Sequence, residues 1–291
     1  MNFAANCGDP LLPGSLSKRV EETIRGTAIV ILTWNGLNET RRCLCSLARA
    51  GYSLDRIVLW DNGSEDGTEE SITREFPDVI FHRHPRNLGV ASGRNAAARY
   101  AIRRLSASHL LFLDNDMVVP PGLLEYLARP FATELLLAQT VAKIRVLSDP
   151  GRLQSAGGFN VNFSLGTRST YGYGEIDGGQ YNNQKPCLPS GGATLVSSSV
   201  FLELGGFDPI FDPYGPEDFD FSCRVQTSGY RAQYVPQAVV YHDYKFGLDK
   251  KNVDAAYFSK RVRHWLILLH RHASLSEQIV FFLSLIHISE P

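Results

Sequence analysis

The sequence of 291 residues lacks an excess of charge of either sign: 29 Lys and Arg face 30 Asp and Glu, for a net charge of −1. Nothing global therefore argues for a nucleic-acid partner, and any such argument would have to be local. Its five cysteines, Cys7, Cys43, Cys45, Cys187 and Cys223, form no Cys-x-x-Cys pair, match no zinc spacing and are odd in number. A reduced, cytoplasmic setting fits that usage. Residues 1–26 hold no apolar core flanked by basic residues, so a cleaved secretion signal is not expected and the stretch reads as a loosely ordered lead-in. The apolar run Ile279 to Ile286 is too short to span a bilayer. No Gly-x-Gly-x-x-Gly opens the first helix, which removes the phosphate loop that a dinucleotide-dependent dehydrogenase needs. Internal repeats and low-complexity tracts are absent.

What is present is 44% hydrophobic and 20% charged, in a length that suits one large α/β domain or two small ones. The first half alternates strand and helix signals. Ala28 to Leu32 reads as a buried strand, followed by a helix capped by Asn38, carrying Leu44 and Leu47 and stopping near Gly51. Arg56 to Trp60 repeats the strand pattern and runs into the turn sequence Asp61-Asn62-Gly63-Ser64. Ile72 and Phe76 mark the inner face of a short helix ended by Pro77, and Val79-Ile80-Phe81 begins a third strand. A helix from about Ser92 to Arg104 leads to a fourth strand, Leu110 to Leu113. This alternation predicts a mostly parallel central sheet with helices on both faces.

Residues 151–193 change character, with Gly pairs and Tyr171, Tyr173 and Tyr181 pointing to loops and short antiparallel strands. A helix near Val200 to Leu204, another from Phe219 to Thr227 stopped by Gly229, and a strand pair at Tyr234-Val235 and Ala238 to Tyr241 follow, ending at His242. At the far end Phe258, Val262, Trp265, Leu266 and Leu269 share one helical face, with Lys260, Arg261, Arg263 and Arg271 elsewhere on the helix. Two readings stay open for it: a helix lying on an anionic membrane surface, or one packed across the sheet domain. The closing stretch LSLIHISEP resembles translated sequencing-adaptor sequence, so the natural chain is expected to differ beyond about residue 282. The expected organisation is thus a lead-in over 1–26, a main domain over 27–245 and C-terminal helices over 246–291.

The chemistry is concentrated in two acidic clusters. Asp114-Asn115-Asp116 directly follows a buried strand, and parallel sheets place ligands just beyond the carboxyl ends of their strands. Two carboxylates there suit Mg²⁺ or Mn²⁺, although Asp and Asn also form turns and caps. Glu217-Asp218-Phe219-Asp220 comes about a hundred residues later. A carboxylate in such a cluster could accept a proton from an attacking hydroxyl. Asp220 reads instead as an acidic residue favoured by the helix dipole.

Taken together, TWNG at Thr33 to Gly36, DNGSEDGT at Asp61 to Thr68, NLGVASGRN at Asn87 to Asn95, LDND at Leu113 to Asp116, SGG at Ser190 to Gly192, GGFD at Gly205 to Asp208 and PEDFDF from Pro216 resemble the family 2 glycosyltransferases. The nearest branch is the bacterial rhamnosyltransferase-like one. The resemblance covers roughly residues 27–245 and implies the GT-A fold, a nucleoside-diphosphate sugar donor with dTDP or UDP favoured, and a divalent metal, Mn²⁺ or Mg²⁺. It implies that Thr33, Asn35, Asp61 and Asn62 line the nucleoside pocket, and that Asn87 and Gly89 shape the loop under the donor. Arg94 would reach the diphosphate beside Asp114 and Asn115. Asp116, with Asp114 and His242, would hold the metal. Asp218 would be the catalytic base, with Glu217 orienting it or bonding the acceptor, and Ser190, Gly191 and Gly192 would line the acceptor side. Many relatives carry a second Asp where this chain has Asn62, which bears on base preference. Trp34 and Tyr214 could stack on sugar faces or simply pack.

The expected activity is inverting transfer of a sugar, rhamnose favoured, to a hydroxyl of a cell-surface glycan or lipid-linked precursor, in the cytoplasm or at the cytoplasmic face of the inner membrane. A sugar-phosphate nucleotidyltransferase would need a Gly-rich phosphate loop near the chain start, which is missing. A non-catalytic nucleotide- or glycan-binding relative is the remaining alternative.

Overall fold

The computed structural model describes residues 16–183, 188–244 and 255–288. Helix α1 (Lys18–Gly26) is capped by Ser17 and buries Val20 and Thr23. The second half of the expected lead-in is therefore ordered helix, because these two side chains have a core to enter; residues 1–15 lie outside the described residues. Strand β1 (Thr27–Thr33) follows, then α2 (Leu37–Arg49), β2 (Ile57–Asp61), α3 (Thr68–Glu75), β3 (Ile80–Arg83), α4 (Val90–Leu105) and β4 (His109–Asp114). Asn38 does not cap α2. Gly36 holds the cap position with no side-chain bond, and Asp66 reaches over from the loop after β2 to accept from the Leu37 N–H at 3.0 Å.

Strands β1 to β3 and β4 pair in parallel in the order β3-β2-β1-β4. Alternate residues of β1 enter opposite layers, as a pleated strand requires. Ile29 and Ile31 meet Leu44 and Leu47 of α2 and Ile72 of α3, whereas Ala28 and Val30 meet Ala97, Ala98 and Ala101 of α4. The small alanines let α4 lie close to the sheet.

Beyond β4 the sheet changes hand of pairing. The short β5 (Met117–Val118) leads to α5 (Leu123–Ala128), and then to the long β6 (Leu137–Val146) and β7 (Asp149–Ala156). A separate hairpin of β8 (Phe159–Asn162) and β9 (Thr167–Thr170) follows, then β10 (Ala193–Ser197), α6 (Ser198–Glu203), α7 (Glu217–Thr227) and β11 (Arg231–His242). β10 is antiparallel to both β4 and β6, β6 is antiparallel to β7 but parallel to β11, and β11 is antiparallel to β5. Parallel order is thus confined to the first four strands and the β6–β11 pair. The expected final strand pair is one strand, β11, whose register against β6 shifts between Val235 and Val239.

Helices α8 (Ala255–His272) and α9 (Leu275–Ile288) close the chain. Leu268 and Leu269 of α8 are buried and Trp265 packs on Phe163, but Phe258, Val262 and Leu266 remain exposed. The face expected to be uniform is split, so α8 packs on the domain and still shows an apolar row to solvent. No helix among the described residues is long and apolar enough to cross a membrane.

Candidate active site

The site forms at the carboxyl ends of β1, β2 and β4, where the loops leave the sheet. Asp61 ends β2 fully buried. Its Oδ1 accepts from the backbone N–H and hydroxyl of Ser64, at 3.0 and 2.5 Å, while Oδ2 has no hydrogen bond and lies 3.5 Å from Arg83 Nε. Asn62 donates through Nδ2 to Asn87 Oδ1 and the Gly89 carbonyl, leaving its own Oδ1 without a partner. Asn35, held at φ 51°, donates its N–H to Ser64 Oγ and accepts from the Glu65 N–H. These bonds lock the TWNG and DNGSEDGT loops together. Buried acceptors without donors are costly unless a ligand or water completes them. Asp61 Oδ2 and Asn62 Oδ1 are two such acceptors among the described residues.

Thr33 and Asn115 serve differently from the expectation. Asn115 Nδ2 donates to the hydroxyls of Thr33 and Thr40 at 3.3 and 3.0 Å, and those hydroxyls are 2.8 Å apart. The trio braces the loop after β4 against α2. Trp34 is 56% exposed at the rim, and Tyr214, also exposed, lies under the Lys260 ammonium at 4.5 Å.

Asp114, Asp116 and His242 can each offer one ligand atom within 4.8 Å of the others. His242 arrives from the end of β11, placed by the β11–β5 pairing opposite Met117. Its Nε2 lies 2.9 Å from Asp116 Oδ2, and its Nδ1 is 2.6 Å from Gln154 Oε1. Burial works against its positive charge, but the Asp116 bond and the nearby carboxylates outweigh that and raise its pKa above the ordinary value. Burial also lifts the Asp114 carboxyl against the pull of Arg94. Asp116 Oδ1 is a buried atom without a partner. Two hard oxygen donors and one imidazole, with an orphaned carboxylate oxygen among them, fit a divalent cation such as Mn²⁺ or Mg²⁺.

Arg94 joins the two acidic clusters. One end of its guanidinium pairs with Asp114 and the other donates to Glu217 Oε1 at 3.0 Å. Burial would lower its pKa, yet the surrounding carboxylates keep it raised. The side chain expected on the diphosphate thus bridges Asp114 and Glu217. Glu217 is almost fully buried, and that burial with the adjacent Asp218 charge pushes its carboxyl up to about 8 against the opposing charge of Arg94. Asp218 accepts from the Gly191 N–H through Oδ2 at 2.8 Å and from the Phe219 N–H through Oδ1 at 2.7 Å.

The Ser190-Gly191-Gly192 turn is threaded between these groups. A Cβ on Gly191 would meet Asp218 Cβ at 2.8 Å and Arg94 Nη1 at 3.1 Å; one on Gly192 would meet Asp114 Oδ2 at 2.9 Å. Only hydrogen fits there. Ser190 Oγ is buried without a partner. Asp220, by contrast, points away from the site. It is fully buried and paired with Arg224 at 2.8 Å, Arg271 at 3.2 Å and His272 at 2.9 Å. Asp220 stands in the first turn of α7, as the helix-dipole reading expects, and is besides a buried anchor that ties α8 to α7.

Two residues that sequence reasoning passed over stand beside this group. Asp212 accepts from the Ala91 N–H at 2.9 Å and from the Ser92 hydroxyl at 2.5 Å, so the loop before Glu217 is pinned to the start of α4. Its place between Phe211 and Pro213 gave no motif. Gln154 is one of several polar residues on β7, and nothing local marks it.

The fold and this group of residues define a mixed α/β domain whose candidate site lies at the carboxyl ends of its parallel strands. The chain belongs to glycosyl transferase family 2, whose model matches residues 28–195. Among curated proteins it is similar to the pre-mycofactocin glycosyltransferase of Mycobacterium tuberculosis, 26% identical over 231 residues, covering 76% of this chain and 43% of the relative. It is also similar to the poly-beta-1,6-N-acetyl-D-glucosamine synthase of Staphylococcus aureus, 24% identical over 234 residues, with 77% and 52% covered. The chain spans about half the length of the curated relatives it matches. Among solved structures, GalNAc-T7 with UDP, GalNAc and Mn²⁺ superposes at a TM-score of 0.62, 21% identical, over 79% of this chain and 45% of that one. The mannosyltransferase PcManGT of Pyrobaculum calidifontis, with GDP-Man and Mn²⁺, gives 0.52 at 16% identity over 91% and 76%. These likenesses establish the GT-A fold expected from the motifs.

Proposed function

We propose that the chain transfers a sugar from a nucleoside-diphosphate donor to a hydroxyl group of a glycan, inverting the anomeric carbon. The observation that carries this reading is the seat of Asp218. The Gly191 and Phe219 N–H groups orient its carboxylate, and the Ser190-Gly191-Gly192 turn runs beside both it and Asp114. As the acceptor oxygen bonds to the anomeric carbon, its proton passes to Asp218, and the bond from that carbon to the diphosphate oxygen breaks with its electron pair leaving on the diphosphate. One base is sufficient for such a single displacement. Glu217, held by Arg94, positions the base and presents its other oxygen to the acceptor. Asp114, Asp116 and His242 would hold Mn²⁺ or Mg²⁺, and a bound cation supplies neutralisation of charge on the departing diphosphate.

The orphaned acceptors Asp61 Oδ2 and Asn62 Oδ1 favour a base with an imide N–H, hence a UDP or dTDP donor. Rhamnose is the sugar that the motif resemblance supports. Calorimetric titration with UDP, dTDP, GDP and CMP, with Mn²⁺ and again with EDTA, tests the reading. Metal-dependent binding of UDP or dTDP alone is the expected result; no binding of any of the four to folded protein would overturn it.

For the acceptor, the proposal is a lipid-linked glycan met at the cytoplasmic face of the inner membrane. Support comes from the exposed row Phe258, Val262 and Leu266, i, i+4 and i+8 on α8, beside exposed Arg263. Two of the basic residues first counted toward that surface are engaged internally: Lys260 lies on Tyr214 and Arg271 binds Asp208 and Asp220. Replacing Phe258 and Leu266 together by serine in the full chain should reduce co-sedimentation with anionic vesicles, and unchanged binding would remove the membrane reading.

A further inference from the structure

His242 is useful as a metal ligand only if Nε2, the nitrogen nearer Asp116, can present a lone pair, which requires the ring proton to sit on Nδ1. Ligating histidines ordinarily secure this by donating the other ring N–H to an acceptor behind them. Here that acceptor is Gln154 Oε1, 2.6 Å from Nδ1. The contact crosses the sheet from β7 to β11, 88 residues along the chain.

The strand register explains how Gln154 gets there. Ile144 of β6 stands opposite Ser155 of β7, and the next residue, Arg145, stands opposite Leu153. Gln154 is the residue left over. It forms a β-bulge, the device by which a strand re-aims one side chain, and bulges gather next to active sites. In the parallel register of β6 with β11, Arg145 and Val146 stand beside Tyr241 and His242. The bulge therefore falls one strand away from His242, at the level where a re-aimed side chain can reach over the β6 backbone.

We propose that Gln154 is a positioning residue of the metal centre: its carbonyl oxygen holds His242 in the tautomer and ring orientation that direct Nε2 toward Asp114 and Asp116. The inference rests on the metal reading given above, but it can be tested apart from it. The chain is compared as wild type, as Gln154→Leu, which removes the acceptor at similar volume, and as Gln154→Glu, which restores one, with Asp116→Ala and His242→Ala backgrounds as controls.

The first readout needs no metal. In metal-free protein labelled with ¹⁵N-histidine and carrying Asp116→Ala, so that the Asp116 carboxylate 2.9 Å from Nε2 no longer competes for the ring proton, and at a pH where the ring is neutral, the chain with Gln154 intact should show the Nδ1-protonated tautomer. In the same background Gln154→Leu should lose that preference and Gln154→Glu should keep it. The second readout is Mn²⁺ affinity in the presence of saturating UDP or dTDP, followed by the paramagnetic signal of free Mn²⁺. Gln154→Leu should weaken it by roughly 10- to 100-fold, and Gln154→Glu should recover most of the loss. In a His242→Ala background, Gln154→Leu should cost nothing further, since the residue acts only through that ring. An unchanged tautomer in Gln154→Leu, unchanged Mn²⁺ affinity, or a full additive loss in the His242→Ala background would each overturn the proposal. The expected tautomer in the Asp116→Ala background, together with a wild type that binds no Mn²⁺ with either nucleotide, would instead sink the metal reading.

Discussion

The layer of strands β1 to β4 and the rest of this molecule are held together by different physics. Strands β1 to β4 and their helices form a parallel layer buried on both faces, with Ile29 and Ile31 on one side and Ala28 and Val30 on the other. Its candidate site residues are tied by hydrogen bonds within and between the loops, such as Asp61 to Ser64 and Asn62 to Asn87. The second half is secured by charge pairs. Lys143 and Arg145 converge on Asp177, Arg224, Arg271 and His272 converge on Asp220, and Asp212 reaches back to α4. Burial of apolar stripes builds the first half; satisfaction of buried charge builds the second. Arg94, between Asp114 and Glu217, is the seam.

That contrast predicts separable defects. The largest concerns the two acidic clusters. Asp218→Asn should cut transfer by about a thousandfold or more, the scale of a lost general base, while metal-dependent donor binding measured by calorimetry stays nearly intact. Asp116→Ala should weaken donor binding itself. Equal loss of donor affinity in both variants would break the division between halves.

Next comes the buried anchor. Asp220→Ala leaves Arg224 and Arg271 without their shared carboxylate and should destabilise the protein by about 3 kcal/mol in denaturant unfolding, as removal of one partner from a buried pair does. Donor binding by the folded fraction should be unaffected. A stability unchanged within error would show that α8 is held by its apolar contacts alone.

Within the second half, two regions should weaken at opposite ends of the pH scale. Glu217 is raised in the folded state to about 8, so its contribution is complete below the ordinary carboxylate range and fades as pH rises through about 8. Asp177 runs the other way. Burial alone would raise it, but Arg145 and Lys143 bring it down to about 2, so its contribution is complete above the ordinary value and fades as pH falls toward about 2. Hydrogen exchange should show the 149–183 segment opening in acid and the start of α7 loosening in alkali, and Glu217→Gln should abolish the alkaline effect only.

The smallest effect tests the turn between the halves. Gly191→Ala would place a methyl group 2.8 Å from Asp218 Cβ and should lower kcat by roughly tenfold to a hundredfold, since an ångström of misplacement can cost that much, with little change in fold. Wild-type kcat in that variant would mean that the turn yields freely.

How much was legible beforehand follows the same division. The four parallel strands, α2, α3 and α4 announce themselves through period and punctuation, because each signal lies within one element. The DND motif, the ED pair and the SGG turn were readable as a set for the same reason. The roles of individual side chains were less so. Thr33 and Asn115 look like ligand groups in sequence and act as a brace; Arg94 looks like a phosphate ligand and bridges two acids. Asp220 looks like a helix-start residue and is also a buried anchor, because its partners Arg271 and His272 lie about fifty residues away.

The sequence by itself determined the α/β class, the family and the short list of chemically competent residues, since apolar period, turn chemistry and motif spacing are properties of neighbouring positions. Only the tertiary structure decided which carboxylate faces a metal site, which is tied to an arginine, and which residue stands behind His242. Those assignments depend on distance and burial between strands far apart in the chain, and a bulge at one position of β7 is enough to change what a side chain can touch.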